Sequence, residues 1–187
     1  IERNNKLELQ ELVTICHEGL KKISNIVSSI SKISRQSRGN FQPLCITDVI
    51  HDARQVVSHR INQGYDFVEV FAPKIPTING HYDELEQVFV NLFTNALDAM
   101  PDGGTIRVSV SSEDGYVVVV VSDNGIGMTK EVMSSIFSPF FTSKEVDKGT
   151  GLGLSISYAI IERHHADIQV NSKPNEGSRF TIRFKEC

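Results

Sequence analysis

The sequence predicts an α+β fold: a two-layer α/β sandwich with a mixed sheet, preceded by one long bundle-forming helix. Three observations predict it. Residues 1–38 carry an apolar heptad seam. Strand-like and helix-like segments segregate in the remainder, as in a sheet covered by helices. Paired strand patterns flank Asp114-Gly115 and the stretch from Pro174 to Gly177, both hairpin signals. At 187 residues and 20.8 kDa the chain is long enough for one ordinary domain with a helical appendage. With 40% hydrophobic residues it can bury a sizeable core.

The first element follows from Leu9, Val13, Cys16, Leu20, Ile23, Val27 and Ile30, spaced alternately four and three apart. Leu12, Ile26 and Ile33 widen the stripe toward a helical bundle, the alternative being a helix that packs on its own domain. Gly39-Asn40 ends this helix, and Pro43 prevents its resumption. Thr47 is the expected cap of a helix to about Gln63. Tyr65 to Phe71 reads as a strand ended by Pro73 and Pro76, and Tyr82 to Met100 as a long helix. Thr105 to Ser111 and Tyr116 to Val121 form the first hairpin. A short helix near Lys130 to Ile136 and a helix from Leu152 to His164 follow. Ile168 to Asn171 and Arg179 to Phe184 close the chain as a second hairpin.

Composition narrows the function classes. A net charge of -4 and a pI near 5.9 speak against a nucleic-acid partner. The longest pure aliphatic run, Val117 to Val121, is far short of a bilayer span. Nothing at the start reads as a signal peptide. Cys16, Cys45 and Cys187 form neither a disulfide framework nor a CxxC pair, which suits a reducing, cytoplasmic setting. The six histidines form no HExxH. The chain opens at Ile1 without Met and already in a helical pattern, so it is expected to be a piece of a longer protein.

Polar residues cluster in four places. On the long helix, Asn91, Asn95 and Asp98 fall at i, i+4 and i+7, on one face. Asn is a poor choice for a solvated helix face, and its amide oxygen is a hard neutral ligand suited to Mg²⁺ shared with phosphates. An incidental polar stripe is the alternative. Asp123-Asn-Gly-Ile-Gly127 follows the valine strand. An Asp there can accept from an exocyclic amine, although Asn-Gly also marks a simple turn. A Rossmann loop is excluded, because Lys130 stands at the third glycine position. Lys148-Gly-Thr-Gly-Leu-Gly-Leu-Ser155 leads into a helix, as either a phosphate cradle or a hinge. It is not a Walker loop, lacking Gly-Lys-Ser/Thr. Phe137-Ser-Pro-Phe-Phe-Thr-Ser-Lys144 offers aromatic packing anchors and, in Lys144, a point charge for phosphate. The polar stretch from Ser138 to Lys148 is expected to behave as a mobile lid.

In this order the motifs clearly resemble the histidine kinase catalytic domain, in the ATPase superfamily shared by gyrase and a heat-shock chaperone, with its Bergerat-type ATP-binding fold. Asn91 to Asn95 looks like the N box and Asp123 to Gly127 like the first glycine box. Phe137 to Phe141 looks like the F box and Gly149 to Gly153 like the second glycine box. Ala99 to Gly104 and Pro139 to Lys144 look most like the nitrogen-sensor type. Residues 1–39 are similar to part of the dimerisation and histidine-phosphotransfer hairpin, its second helix. Residues 40–187 are similar to the catalytic ATP-binding domain.

The resemblance implies ATP and Mg²⁺ as ligands. Asn95 then holds the metal and Asp123 accepts from the adenine amino group. Gly125, Ile126, Gly127, Gly149, Thr150, Gly151 and Gly153 shape the backbone around the nucleotide. Thr142, Ser143, Lys144 and the amides of Leu152 to Leu154 meet phosphates, and Ser178 assists adenine through water. Asp98 stands where many kinases place Lys or His, as in the gyrase branch, which puts a phosphate contact from that position in doubt. Asn91 is the catalytic departure. Gyrase-like ATPases carry a water-activating Glu there, and an amide cannot take a proton, which favours transfer to histidine over hydrolysis.

The acceptor is expected upstream of Ile1, because His17 lacks the Pro that the family's H box wants five residues on (Lys22 stands there). His164 and His165 are expected to be helix-dipole partners or surface residues. The implied partners are a response regulator receiver domain, a second copy through the N-terminal helix, and an upstream sensor domain. An ATP-binding scaffold module and an anti-sigma-like serine kinase are the competing readings.

Overall fold

The computed structural model describes Gly19 and residues 40–62, 64–144 and 149–187. The seam helix expected over 1–39, apart from Gly19, and residues 145–148 of the expected lid therefore lie outside the described residues, as does His17. β1 (Gln42–Leu44) leads into α1 (Ile46–Ile61), then β2 (Tyr65–Phe71) and β3 (Ile78–Gly80). α2 (Tyr82–Asp98), β4 (Gly104–Glu113) and β5 (Tyr116–Asp123) follow. α3 (Lys130–Ser135), α4 (Gly153–Arg163), β6 (Asp167–Ser172) and β7 (Ser178–Lys185) complete the order.

Five strands form one mixed sheet in the order β2-β4-β5-β7-β6. Only β2 and β4 run parallel, because α2 carries the chain back between them; the other neighbours are antiparallel. Alternation makes one face apolar. Ile106, Val108 and Val110 of β4, Val117, Val119 and Val121 of β5, and Phe180, Ile182 and Phe184 of β7 are all buried. They meet the apolar faces of α1 and α2, including Ile50, Ala53, Leu85, Phe89 and Phe93. This is the expected two-layer sandwich. No described helix is long and apolar enough to cross a membrane.

Several boundaries move. Thr47 does not cap α1: the cap position is Cys45, and the Thr47 hydroxyl faces its thiol at 3.0 Å. α2 stops at Asp98, and Met100 opens the turn, whose carbonyl accepts from Gly103 N at 3.1 Å. The small β1–β3 sheet was not expected from the sequence. It pairs Leu44 with Ile78 and brings the chain at residue 42 against the start of α2.

His164 corrects the surface reading, since it is buried, whereas neighbouring His165 is exposed. Its Nε2 accepts from the His81 N–H at 3.0 Å, so the proton sits on Nδ1, 2.7 Å from the Ile160 carbonyl. Burial, helped by Arg163 and His81, lowers its pKa against the opposing pull of the Ile160 carbonyl and Glu84. The unfolded chain thus binds this proton at a higher pH than the fold does. The stability tied to neutral His164 is present above about pH 6.5 and is lost as pH falls through that value toward the folded pKa. Urea midpoints should drop on acidification across this window, and His164→Gln should flatten the drop. An unchanged slope in the variant would remove His164 as its source.

Candidate functional site

A cleft of about 920 Å³ opens between α2, the end of β5, α3 and the segment leading into α4. Of the predicted nucleotide-binding residues, Gly125 and Leu152 do not line it; the rest do. Leu152 is buried, and its N–H reaches the Thr150 hydroxyl at 3.4 Å.

One end of the cleft is built on Asp123. The last β5 residue lies opposite Ser178 across the β5–β7 ladder. Both nearby backbone donors land on the same carboxylate atom: Oδ1 accepts from Gly125 N at 2.9 Å and from Ser178 N at 3.2 Å. Oδ2 takes neither of these bonds, and Asp123 lines the cleft. Burial pushes this carboxyl up, and the two N–H bonds pull it back without cancelling the rise. Met128, Val132, Ile136, Phe180 and Leu154 make the adjoining walls apolar. An apolar slot with one carboxylate suits a flat ring bearing an amine.

The loop after Asp123 is held by its own backbone. Ile126 N donates to the Ala99 carbonyl at 3.0 Å, and Asn175 N donates to the Ile126 carbonyl at 2.7 Å. Gly127 has φ +64, and a Cβ there would fall 1.9 Å from the Lys173 carbonyl oxygen. Only glycine satisfies both conditions. The Ile126 side chain stays 62% exposed at the cleft mouth.

The opposite end is polar. Asn91 donates from Nδ2 to Ser157 Oγ at 2.9 Å, which ties α2 to α4. Gly153 packs so closely that a Cβ would lie 2.2 Å from Asn91 Oδ1. Asn95 Oδ1 accepts from Lys144 Nζ at 3.2 Å. Asp98 is doubly paired, with Oδ2 on Lys144 Nζ and Oδ1 on Arg60 Nη2, both at 2.6 Å. Burial alone would raise the Asp98 pKa, but the bonds from Lys144 and Arg60 outweigh it and hold the carboxyl below its ordinary range. Thr142 Oγ1 accepts from Lys144 N at 3.2 Å and so orients the start of that side chain's backbone.

The donor set fits a divalent ion only as a partner to phosphate. Among the described residues no three His, Cys, Asp or Glu side chains converge as a cage. Asn95 offers one neutral oxygen, and that oxygen already accepts from a cation, the Lys144 ammonium. Mg²⁺ commonly takes few protein ligands when phosphates supply the others.

The aromatic motif divides three ways. Phe137 is an anchor as expected, its ring 5.1 Å from Tyr158. Phe141 lines the cleft. Phe140 is no anchor: it has φ +67 and is 61% exposed, with its backbone against Gly151. Sequence reasoning missed Arg60, because its partner Asp98 lies 38 positions away. It also missed Met128, Val132 and Ile136, whose spacing reads only as core.

Residues 80–187 match the family described as histidine kinase-, DNA gyrase B- and HSP90-like ATPase. Sporulation kinase E of Bacillus subtilis (strain 168) is 33% identical over 165 residues, covering 87% of this chain and 22% of that relative. The chain thus spans about a fifth of that relative's length. The catalytic domain of histidine kinase ThkA superposes with a TM-score of 0.71 at 29% identity, covering 79% of this chain and 97% of that one. ThkA in complex with the response regulator protein TrrA matches in fold, with a TM-score of 0.72 at 24% identity over 90% of this chain and 49% of that one. The chain belongs to the histidine kinase-, DNA gyrase B- and HSP90-like ATPase family and is a catalytic domain of the histidine-kinase type.

Proposed function

We propose that the cleft binds Mg·ATP and that the domain passes the γ-phosphoryl group to a histidine outside the described residues, for relay to an aspartate of a response regulator. Asp123 Oδ2 accepts from the adenine amine, and Ser178 fixes the other oxygen of that carboxylate. Lys144 and the backbone from Thr142 to Ser143 and from Gly149 to Leu154 face the phosphates. Asn95 holds Mg²⁺, which when bound neutralises phosphate charge. The acceptor imidazole nitrogen forms the new N–P bond as the bond from phosphorus to the bridging oxygen breaks and ADP leaves. The domain's share is positioning and charge, not proton removal.

One observation carries transfer over hydrolysis. The water-activating position is Asn91, an amide tied to Ser157. The carboxylate nearest on the same helix face, Asp98, is held by two cations. Among the described residues, the phosphate end therefore has no carboxylate poised to take a proton from water. The complex of ThkA with TrrA supports a receiver-domain partner, and the seam over 1–39 supports pairing of two copies below an upstream sensor domain.

The test uses radiolabelled Mg·ATP with a histidine-phosphotransfer hairpin supplied in trans. Label should appear on the hairpin and be acid-labile. Asn95→Ala should weaken ATP binding more with Mg²⁺ than without it. Acid-stable label would favour a serine kinase. Tight ATP binding with no transfer to any hairpin would favour a binding module.

A further inference from the structure

We propose that Arg60, in the last turn of α1, is a phosphate-binding residue of the cleft, and that Asp98 holds it and Lys144 ready for the anion. This rests on the nucleotide reading of the cleft and adds a cation from outside every sequence motif.

The arrangement has too much positive charge for a simple ion pair. Arg60 and Lys144 together share one carboxylate, one on each oxygen at 2.6 Å. The cluster carries a net positive charge and lines the cleft on the Asn95 side. A lone Asp98 there would repel phosphate; with both oxygens covered it presents cations instead. The side chains of Arg60 and Lys144 are each 33% exposed, so they remain open to a ligand.

Arg54, on the same helix, shows what a structural arginine looks like here. It pairs with Glu69 at 3.0 Å and lies over the Phe67 ring at 5.0 Å. Among the described residues Arg60 has no ring, and it gives only Nη2 to Asp98. A guanidinium has five donors in a planar fork that matches phosphate oxygens. The donors unused among the described residues are those an incoming phosphate would take.

The experiment is calorimetric titration of wild type, Arg60→Gln and Arg60→Lys with ATP and, separately, adenosine, at low and high salt. Arg60→Gln should weaken ATP about tenfold or more, the loss expected for charge-assisted hydrogen bonds. Adenosine affinity should not change, and Arg60→Lys should recover part of the ATP loss. The salt dependence of ATP binding should be shallower in Arg60→Gln. Equal ATP affinity in wild type and Arg60→Gln would overturn the assignment, as would equal losses for ATP and adenosine. Should Arg60→Gln not fold, Arg60→Met, which keeps the apolar stem and removes the charge, decides: undiminished ATP affinity and an unchanged salt slope would overturn it. If the wild type binds neither ligand, the nucleotide reading itself fails; if it binds both and only the Arg60 result is negative, that reading stands alone.

Discussion

Gly127→Ala is expected to destabilise the domain by about 2–5 kcal/mol, combining a left-handed backbone with overpacking against an immovable neighbour. The position has φ +64, and the new methyl would sit 1.9 Å from the Lys173 carbonyl oxygen. That carbonyl belongs to a turn pinned on both sides. Glu176 N donates to it at 3.0 Å, and Asn175 N is fixed on Ile126 at 2.7 Å. Relief must therefore come from moving the whole 123–127 loop, which carries the floor of the cleft. Denaturant midpoints report the stability loss, and nucleotide titration should show a parallel loss of affinity. A midpoint within error of wild type would mean that the two loops separate freely, contrary to their hydrogen bonding.

Asp123→Asn should weaken ATP by about 1.5–3 kcal/mol, roughly 10- to 150-fold, the range for hydrogen bonds to a charged group. The amide can keep its oxygen on Gly125 and Ser178, which leaves NH₂ facing the adenine amine. Stability should therefore change much less than affinity. The wild-type carboxyl is raised by burial. On the proposed reading its charged form is the acceptor, so ATP binding should weaken on acidification from above the ordinary carboxylate range, and Asp123→Asn should lose that pH dependence. The raised pKa has the opposite effect on folding: this group favours the fold at low pH, and that contribution falls as pH rises through its folded value. Unchanged ATP affinity in the variant would place the adenine elsewhere.

Most of the site was legible because its residues sit in short local patterns. The helix face of Asn91, Asn95 and Asp98 needs only 3.6-residue periodicity, and Asp123 follows an unmistakable valine strand. Tyr65–Phe71 appears with the expected limits, ending before Pro73 and Pro76. What stayed hidden depends on distant partners or very short elements. β1 and β3 have three residues each, too few for alternation to show. Arg60 looks like any solvated cation on a helix until α1 is laid beside α2. Thr47 carries the chemistry of a cap, but buried Ile46 starts the helix two residues too early for it. Phe140 reads as an anchor by composition, and its backbone conformation turns it outward.

The cleft is stitched together by pairs far apart along the chain: Ser178 to Asp123 spans 55 positions, Lys144 to Asn95 spans 49, and Asn91 to Ser157 spans 66. Contacts of such separation meet their loop-closure entropy before they return any stabilisation, so they form late and together. A half-folded chain is therefore expected to lack the assembled site. A nucleotide therefore recognises only the finished domain and, by mass action, withdraws it from the pool open to aggregation or proteolysis, by about 2.7 kcal/mol when ligand stands a hundredfold above its dissociation constant. On the proposed nucleotide reading, ATP at cellular abundance would serve as the domain's folding sentinel.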